Sequence, residues 1–436
     1  MLMVARFAQF GMLFAFNVVA SRALGPAGRG DYVVPATIAI VIGVITHLSI
    51  EGGLGRLLAR GETDRAVATR LGVSASLAVG GLGLATYALL CVALQPALPG
   101  SISDGSLILA GAAIPFISSS FILATLLLRL GGVRVYGLTM ALSASLQLGG
   151  IGAAALATEL TPELVLSVVL AAHVLTTLGL LVALARLVGG RALRPMRPGA
   201  LGRRVLGLSL RIHPAAVAIF LVMRLDLVIV GLIAGQAATG RYSVSKSVAE
   251  MAFLAASSLA LAALHGQTQA EEDAALGHTV EQTRMAVAVS TVLALVLALT
   301  AYPLVYFLYG QEWTAAVVPL ALLALGGVGL AIEAAVRGLL IRIAPLSQIS
   351  LAATAALVLN VALAIAFIPT FGIVGAAVAS VVGYWAAAAG ALLLLRRHGG
   401  TPLVAVFHPP SVRTVRGLFP NRSGRAPVDD AATGPR

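Results

Sequence analysis

The chain has 436 residues, of which 59% are apolar and 11% are charged, and it carries a net charge of +12. Soluble domains contain about 25% charged residues, and a soluble protein of this length would need a large charged surface. Apolar stretches of about 20 residues, each long enough to cross the hydrocarbon core of a bilayer, recur along the chain. The composition therefore excludes a soluble protein and predicts an all-α polytopic membrane protein.

Hydropathy predicts about twelve transmembrane helices. They lie at 3–24, 32–54, 71–95, 107–128, 137–157, 164–185, 212–234, 242–264, 285–308, 315–336, 346–368 and 373–395. The first stretch lacks a small-residue cleavage site, so it is predicted to be a retained helix rather than a signal peptide. The single cysteine, Cys91, lies in an apolar span, and no nucleotide-binding or nucleophile motif occurs. The sequence therefore predicts no metal site, no cofactor and no enzymatic centre.

These spans divide the chain into four predicted segments. They are an N-terminal six-helix lobe at 1–187, a basic cytoplasmic linker at 188–211, a C-terminal six-helix lobe at 212–396 and a disordered basic cytoplasmic tail at 397–436. The tail is rich in proline and arginine, a composition that does not bury a core. Within the second lobe, the acidic stretch 265–283 predicts a short surface helix on the cytoplasmic side.

The positive charges follow this topology. Almost all Lys and Arg residues fall at the N-terminus, in even-numbered loops or in the tail, whereas Arg22, Arg29 and Arg241 lie on the opposite side. Cytoplasmic segments carry such an excess, so both termini are predicted to be cytoplasmic. Topology accounts for the basicity, and nucleic-acid binding is not predicted. The use of 28 Arg against one Lys indicates a GC-rich bacterial genome and hence the bacterial cytoplasmic (inner) membrane.

A faint internal duplication relates the two lobes. With an offset of 210 residues, segments 24–32 and 234–242 share the pattern Gly-x-Ala-x-x-Gly-x-Tyr. Later in each half an offset of 213 residues aligns 126–129 with 339–342 and Gln147 with Asn360. A six-helix unit returns the chain to its starting side, so its copy inserts in the same orientation. The lobes are therefore predicted to be related by a pseudo-two-fold axis along the membrane normal, with a cavity between them.

Four ionisable residues lie in predicted spans seven and eight. Arg224 and Asp226 belong to the first of these spans, and Lys246 and Glu250 to the second. Each charge costs about 2.5–3.5 kcal/mol on insertion scales, so it usually faces a partner or a cavity. Antiparallel neighbours joined by a turn at 235–241 would pair Arg224 with Glu250 and Lys246 with Asp226. These pairs either only pin the hairpin or present the two cations to an anionic substrate.

Other polar residues in the spans have two interpretations. The amides of Asn17, Gln147 and Asn360 either bond neighbouring helices together or line a cavity, and Glu333 and Arg337 are four apart on one helix face. The substrate-cavity candidates are thus Arg22, Arg224, Lys246, Asn17, Gln147 and Asn360, and the charge-pair or ion-coupling candidates are Asp226, Glu250, Glu333 and Arg337.

Three motifs in chain order carry a resemblance to a known family. Residues 20–32 read Ala-Ser-Arg-Ala-Leu-Gly-Pro through Gly-Asp-Tyr, residues 224–242 contain Arg-Leu-Asp with Gly231, Gly240 and Tyr242, and residues 368–377 read Ile-Pro-Thr-Phe-Gly-Ile-Val-Gly-Ala-Ala. Together they resemble the polysaccharide, or lipid-linked oligosaccharide, flippases of the multidrug/oligosaccharidyl-lipid/polysaccharide (MOP) exporter superfamily. The resemblance covers about residues 5–396.

The resemblance implies a MATE-like fold of two six-helix lobes. It implies export of an undecaprenyl-diphosphate-linked oligosaccharide, a cell-surface polysaccharide precursor, by alternating access, with H⁺ or Na⁺ as coupling ion and membrane lipid as a further partner. A cation-coupled multidrug antiporter and a murein lipid-precursor flippase of the same superfamily are alternatives. A membrane glycan polymerase or ligase is a more distant one, because the extracytoplasmic loops are too short for its active site.

Overall fold

The computed structural model describes residues 2–94, 100–263 and 272–411. Within these ranges the chain is almost entirely helical and has no strand. The α-helices are α1 (Leu2–Thr46), α2 (Ile50–Ala59), α3 (Arg65–Leu94), α4 (Asp104–Arg129), α5 (Val133–Ala157), α6 (Pro162–Val188), α7 (Gly199–Ile233), α8 (Gln236–Ala263), α9 (Glu272–Leu308), α10 (Val317–Ile343) and α11 (Leu346–Gly399). Short 3-10 helices lie at Gly190–Leu193, Gln311–Ala316 and Leu403–Phe407. The predicted all-α polytopic membrane fold is confirmed.

Nine helices in the described ranges are long and apolar enough to cross a membrane. Two of these, α1 and α11, are each interrupted by one glycine with positive φ, Gly25 (64°) and Gly372 (56°). Only glycine adopts such a φ without strain. The chain reverses at each interruption, so α1 and α11 each contribute two antiparallel crossings. With α8, which is 28 residues long, the described helices account for the twelve predicted spans.

Hydrogen bonds across the two reversals show that the helical segments on either side are paired. In α1, the Arg29 guanidinium donates to the Asn17 side-chain oxygen at 3.0 Å. In α11, the Asn360 amide donates to the Ala379 carbonyl at 3.1 Å. Both contacts join residues more than three helical turns apart in sequence, which a continuous helix would hold far apart.

Several predicted boundaries differ from those in the structure. The second span, predicted at 32–54, ends at Thr46, because Leu48 and Ser49 take positive φ (55° and 50°) and break the helix before α2. The seventh begins earlier than predicted, since α7 starts at Gly199 inside the predicted linker. The turn predicted at 235–241 is shorter, because α8 already begins at Gln236.

Two polar segments also differ from their predictions. Of the surface helix predicted at 265–283, residues 265–271 lie outside the described residues, and the remainder forms the first turns of the long helix α9. Residues 400–411, predicted as disordered tail, contain a 3-10 helix whose Val406 is buried and whose Ala405 carbonyl accepts from Arg284 at 2.7 Å. Residues 412–436 lie outside the described residues.

The helix boundaries carry the signature of the predicted duplication. An offset of 213 residues brings the first residue of α4 onto that of α10, and the first residue of α5 onto that of α11. Near the first motif, where the offset is 210 residues, Gly25 and Gly235 both have positive φ. The two halves of the chain therefore follow the same succession of helices and breaks.

The first half packs against the second mainly through α1 against α7 and α8, and through α2 against α7. On the side predicted to be extracytoplasmic the contact is reciprocal. A Cβ atom on Gly30 would lie 2.1 Å from the Gln236 carbonyl oxygen, and one on Gly240 would lie 1.9 Å from the Pro26 carbonyl oxygen. These four residues are related by the 210-residue offset, so the contact repeats itself across the pseudo-two-fold axis. We call this contact, after its predicted side of the membrane, the extracytoplasmic seam.

We expect Gly240→Ala to destabilise the protein, because the added methyl group must displace the backbone of α1 at the seam. Overpacking of this kind costs about 1–3 kcal/mol and should lower the melting temperature of the purified protein in detergent by several degrees. The matched control is Gly149→Ala in α5, where an added Cβ meets no atom within 4 Å. Equal melting temperatures for the two variants would contradict the close contact.

Candidate functional site

One stripe of α8 faces the first half of the molecule. Ser243 and Ser247 accept hydrogen bonds from Arg29 of α1, at 2.7 and 3.5 Å. Glu250 lies three residues further along and therefore falls on the same helical face. Helix α8 thus presents two serines and a carboxylate to the interface between the halves. We call this stripe the interlobe face of α8.

Arg224 and Glu250 form the ion pair that the sequence predicted. The Arg224 guanidinium donates twice, at 2.9 Å to Glu250 Oε1 and at 2.7 Å to Oε2. Such a two-point contact fixes the plane of the guanidinium. The side chains remain 31% and 15% exposed, so the pair lies at a surface of the second half and is not sealed inside it.

Lys246 and Asp226 also pair as predicted, but inside the second half. Asp226 is fully buried and accepts hydrogen bonds from Tyr242 at 2.6 Å, from Ser380 at 2.6 Å and from the Lys246 ammonium. Lys246 also donates to the Tyr384 hydroxyl at 3.2 Å. These contacts join α7, α8 and α11, and they satisfy both charges within the protein.

The prediction that Lys246 faces a substrate cavity is therefore wrong. Its side chain is 2% exposed, and its nitrogen also lies 5.7 and 5.8 Å from the centres of the Tyr242 and Tyr384 rings. Lys246 sits four residues before Glu250, but the neighbouring aromatic residues of α8 and α11 enclose it. Of the two predicted cationic candidates in this hairpin, only Arg224 remains accessible.

Arg29 is the site residue that sequence reasoning missed. It is only 1% exposed. The sequence placed it in an extracytoplasmic turn, where an arginine is hydrated at little cost. The sharp reversal at Gly25 instead directs its guanidinium between α1 and α8, where it contacts Asn17, Ser21 and Ser243. A signal was present in the sequence, because Asn17 and Ser21 are four apart and form a polar stripe on an otherwise apolar helix.

The remaining candidates occupy separate places. Arg22 is exposed and donates to the Phe307 carbonyl at 2.6 Å, bridging α1 and α9. Asn17 holds Arg29, and Asn360 is buried between the two segments of α11, as an amide that bonds helices together. Gln147 is half-buried on α5. Glu333 and Arg337 pair on α10, with Arg337 40% exposed and Glu333 7% exposed.

A second contact joins the halves at the end of the bundle opposite the seam, which is predicted to be cytoplasmic. The ring of His213 on α7 bonds the Ile45 carbonyl through Nε2 at 2.9 Å and the Ser49 hydroxyl through Nδ1 at 3.0 Å. A carbonyl only accepts, so Nε2 carries the hydrogen and the serine hydroxyl donates to Nδ1. The positive φ of Ser49 directs its side chain toward α7. The two halves therefore touch at both ends of the interface.

A half-open cavity of about 790 Å³ lies beside this second contact. Its walls come from α2, α3 and the N-terminal turns of α7, and the segment 195–199 closes one side. The lining is mostly apolar, with Arg197 and Arg203 among its polar residues. None of the predicted site residues lines it. It is large enough for part of a ligand chain, since small-molecule sites span about 300–1,000 Å³.

Comparison with known proteins adds an independent result. Residues 132–318 match a family described as "Polysaccharide biosynthesis protein". No curated protein matches the chain. Solved structures match it over nearly their whole length.

An inward-facing multidrug-resistance MATE transporter of the MOP superfamily is 16% identical, with a TM-score of 0.68, and the match covers 90% of this chain and 95% of the transporter. The lipid II flippase MurJ in an inward closed conformation is 14% identical, with a TM-score of 0.66 and coverage of 96% and 90%. A MOP-superfamily transporter from Pyrococcus furiosus is 17% identical, with a TM-score of 0.60 and coverage of 92% and 94%.

The chain has the MOP-superfamily fold. The fold implied by the resemblance is thereby confirmed, and the MATE-like arrangement of two six-helix lobes is the architecture of this protein. Helices α1–α6 form the N-lobe and α7–α11 the C-lobe. At these identities the solved structures establish the fold, and the activity has to be argued from the residues of this chain.

We expect Asp226→Leu to destabilise the C-lobe strongly, because it leaves the Lys246 ammonium buried without a counter-charge. Removing one partner of a buried pair costs about 3–5 kcal/mol, whereas replacing both partners by apolar residues is often neutral. The double variant Asp226→Leu/Lys246→Met should therefore melt closer to the wild type than the single variant does.

The matched control is Glu62→Ala, which breaks the exposed pair with Arg204 at 2.8 Å. Exposed pairs contribute about 0–1 kcal/mol, so its melting temperature should stay near that of the wild type. If Asp226→Leu melted like Glu62→Ala, the buried pair would not hold the lobe together.

Proposed function

We propose that this protein is a flippase that moves an undecaprenyl-diphosphate-linked oligosaccharide across the bacterial cytoplasmic membrane, with both termini in the cytoplasm. The observation that carries the proposal is the pair of arginines on the interface between the lobes. Arg224 is held there by Glu250, and Arg29 reaches the same face of α8 from the N-lobe. Arginine is the side chain best suited to grip a diphosphate, because its planar fork bonds two phosphate oxygens at once.

The free-energy cost of moving a charged headgroup through the bilayer supports this proposal. A sugar diphosphate cannot cross hydrocarbon unaided, since transfer of an isolated charge costs tens of kcal/mol by idealised estimates. Cations on the facing surfaces of two lobes replace its hydration while the polyprenyl chain stays in lipid. Alternating exposure of this interface to the two sides then completes the transfer.

The charge of the interface favours an anionic substrate over a cationic drug. The one partly exposed carboxylate on the interlobe face of α8 in the described chain, Glu250, is already neutralised by Arg224, and Asp226 is enclosed with Lys246. A cationic drug would meet positive charge on both lobes, which disfavours its binding. Glu250 is the acid left to take up H⁺ or to meet Na⁺ when a diphosphate draws Arg224 away.

We expect Arg224→Ala to lose transfer of a fluorescent polyprenyl-diphosphate oligosaccharide in proteoliposomes by at least about tenfold, because a charge-assisted contact to phosphate contributes about 1.5–3 kcal/mol. Arg224→Lys should retain part of the rate, since it keeps the charge but not the fork. The matched control is Arg134→Ala at the exposed cytoplasmic start of α5, which should transfer normally.

Cells without the gene should accumulate lipid-linked oligosaccharide in the cytoplasmic leaflet. Normal transfer by Arg224→Ala protein that is inserted at wild-type amounts would contradict the proposal. Drug sensitivity without oligosaccharide accumulation in the deletion strain would favour the multidrug antiporter instead.

A further inference from the structure

Arg29 is a buried cation whose hydrogen-bond partners are all uncharged. Its Nε donates to Ser243 Oγ at 2.7 Å, Nη1 donates to the Asn17 carbonyl at 3.1 Å and to Ser21 Oγ, and Nη2 donates to Asn17 Oδ1 at 3.0 Å and to Ser247 Oγ at 3.5 Å. No carboxylate of the described chain lies within ion-pair distance of it. It differs in this from Arg224 and Lys246, which each face an acid.

Such an arrangement is costly for a purely structural residue. Burying a charge without a counter-charge costs several kcal/mol even after hydrogen bonding, and a neutral side chain would join the same helices at lower cost. Intramembrane charges often mark substrate or ion pathways, where an anionic ligand supplies the negative charge that the protein lacks. The partners of Arg29 are also weak competitors for it, since serine and amide oxygens hold a guanidinium less tightly than a phosphate does.

The position of Arg29 links this charge to the closure of the protein. Asn17 and Ser21 belong to the N-lobe, whereas Ser243 and Ser247 belong to the C-lobe, so the bonds of one side chain span the interface. The adjacent Gly30 is the residue that meets α8 at the extracytoplasmic seam. The lobes cannot part on this side unless Arg29 leaves the two serines.

Arg224 lies further along the same path. Its partner Glu250 is seven residues after Ser243 on α8, or about 10 Å at 1.5 Å per residue, on the interlobe face. A diphosphate bound at Arg224 and moving outward along this face meets Arg29 next. The two arginines are thus spaced for a headgroup to pass from one to the other.

We infer that Arg29 is a second phosphate-binding residue and that it locks the extracytoplasmic seam until an anion replaces its serine partners. This inference deepens the proposed function, on which it rests. When the diphosphate of the lipid-linked substrate reaches Arg29, the guanidinium exchanges Ser243 and Ser247 for phosphate oxygens. The bonds that Arg29 makes between the lobes are then lost, and the extracytoplasmic side opens while the substrate is bound.

The lock is tested by measuring the distance between the lobes. Cysteines replace Glu159 on the N-lobe and Gln311 on the C-lobe, both exposed at the extracytoplasmic surface, in a Cys91→Ala background. Spin labels on the protein in lipid nanodiscs report the distance by double electron–electron resonance. Farnesyl diphosphate, a short polyprenyl diphosphate, is the probe.

We expect the wild type to show a short distance that lengthens when farnesyl diphosphate is added. Arg29→Gln should show the long distance without the probe, with an open-to-closed ratio raised about tenfold or more, and should not respond to the probe. Arg241→Gln is the matched control. Arg241 lies on the same side but bonds the Glu312 carbonyl within the C-lobe, so its loss should leave both the distance and the response unchanged.

If Arg29→Gln does not fold, the double variant Ser243→Ala/Ser247→Ala keeps the cation, removes its partners on the C-lobe and should also open the seam. Wild-type distances in both variants would overturn the lock. A wild-type distance that ignores farnesyl diphosphate would overturn the phosphate role of Arg29. A separate result would contradict the proposed function alone. This is a protein whose seam still opens when the probe is added but which transfers no oligosaccharide in proteoliposomes.

Discussion

The cost of a charge inside the membrane governs the arrangement of this protein. Three of its intramembrane cations meet that cost in different ways. Lys246 is enclosed with Asp226 and two tyrosines, Arg224 shares a two-point contact with Glu250 at a partly exposed surface, and Arg29 is held by neutral oxygens alone. The first solution stabilises a lobe, because nothing in it is available to a ligand. The other two leave the cation able to exchange its partners, since Arg29 bonds both lobes and Glu250, the partner of Arg224, falls on the interlobe face of α8.

Close packing of the lobes makes this exchange consequential. At the extracytoplasmic seam the backbones of α1 and α8 approach so closely that only glycine fits at positions 30 and 240. Small residues permit such contacts between membrane helices, where van der Waals packing supplies much of the association energy. A seam of this kind has two states, packed or parted, because a small separation already forfeits much of the attraction. A few hydrogen bonds from Arg29 therefore suffice to bias it.

Sequence reasoning predicted the helical bundle and the twelve crossings, because these depend on local hydropathy. It predicted the superfamily fold from three motifs, and both ion pairs of the α7–α8 hairpin from the pairing of neighbouring helices. It misplaced Lys246, because Tyr384, which helps to enclose it, and Ser380, which bonds its partner Asp226, lie well over a hundred positions away in α11. It missed Arg29 for a related reason. Whether an arginine after a turn points to water or back between the helices depends on how sharply Gly25 reverses the chain, and hydropathy carries no information on that angle.

The duplication supplies two similar rigid bodies, but their charges are not duplicated. At the 210-residue offset, Arg224, Asp226, Lys246 and Glu250 correspond to Phe14, Phe16, Ala36 and Ile40, and Arg29 corresponds to Thr239. In the described part of the chain, Arg29 is the one fully buried arginine or lysine of the N-lobe, and two of its hydrogen bonds reach the C-lobe. If the two lobes carried the same charges, a headgroup would have no preference for one lobe over the other. In the proposed mechanism, a negative headgroup held at Arg224 on the C-lobe acts on the N-lobe through Arg29, so the charge that the substrate brings also releases one lobe from the other.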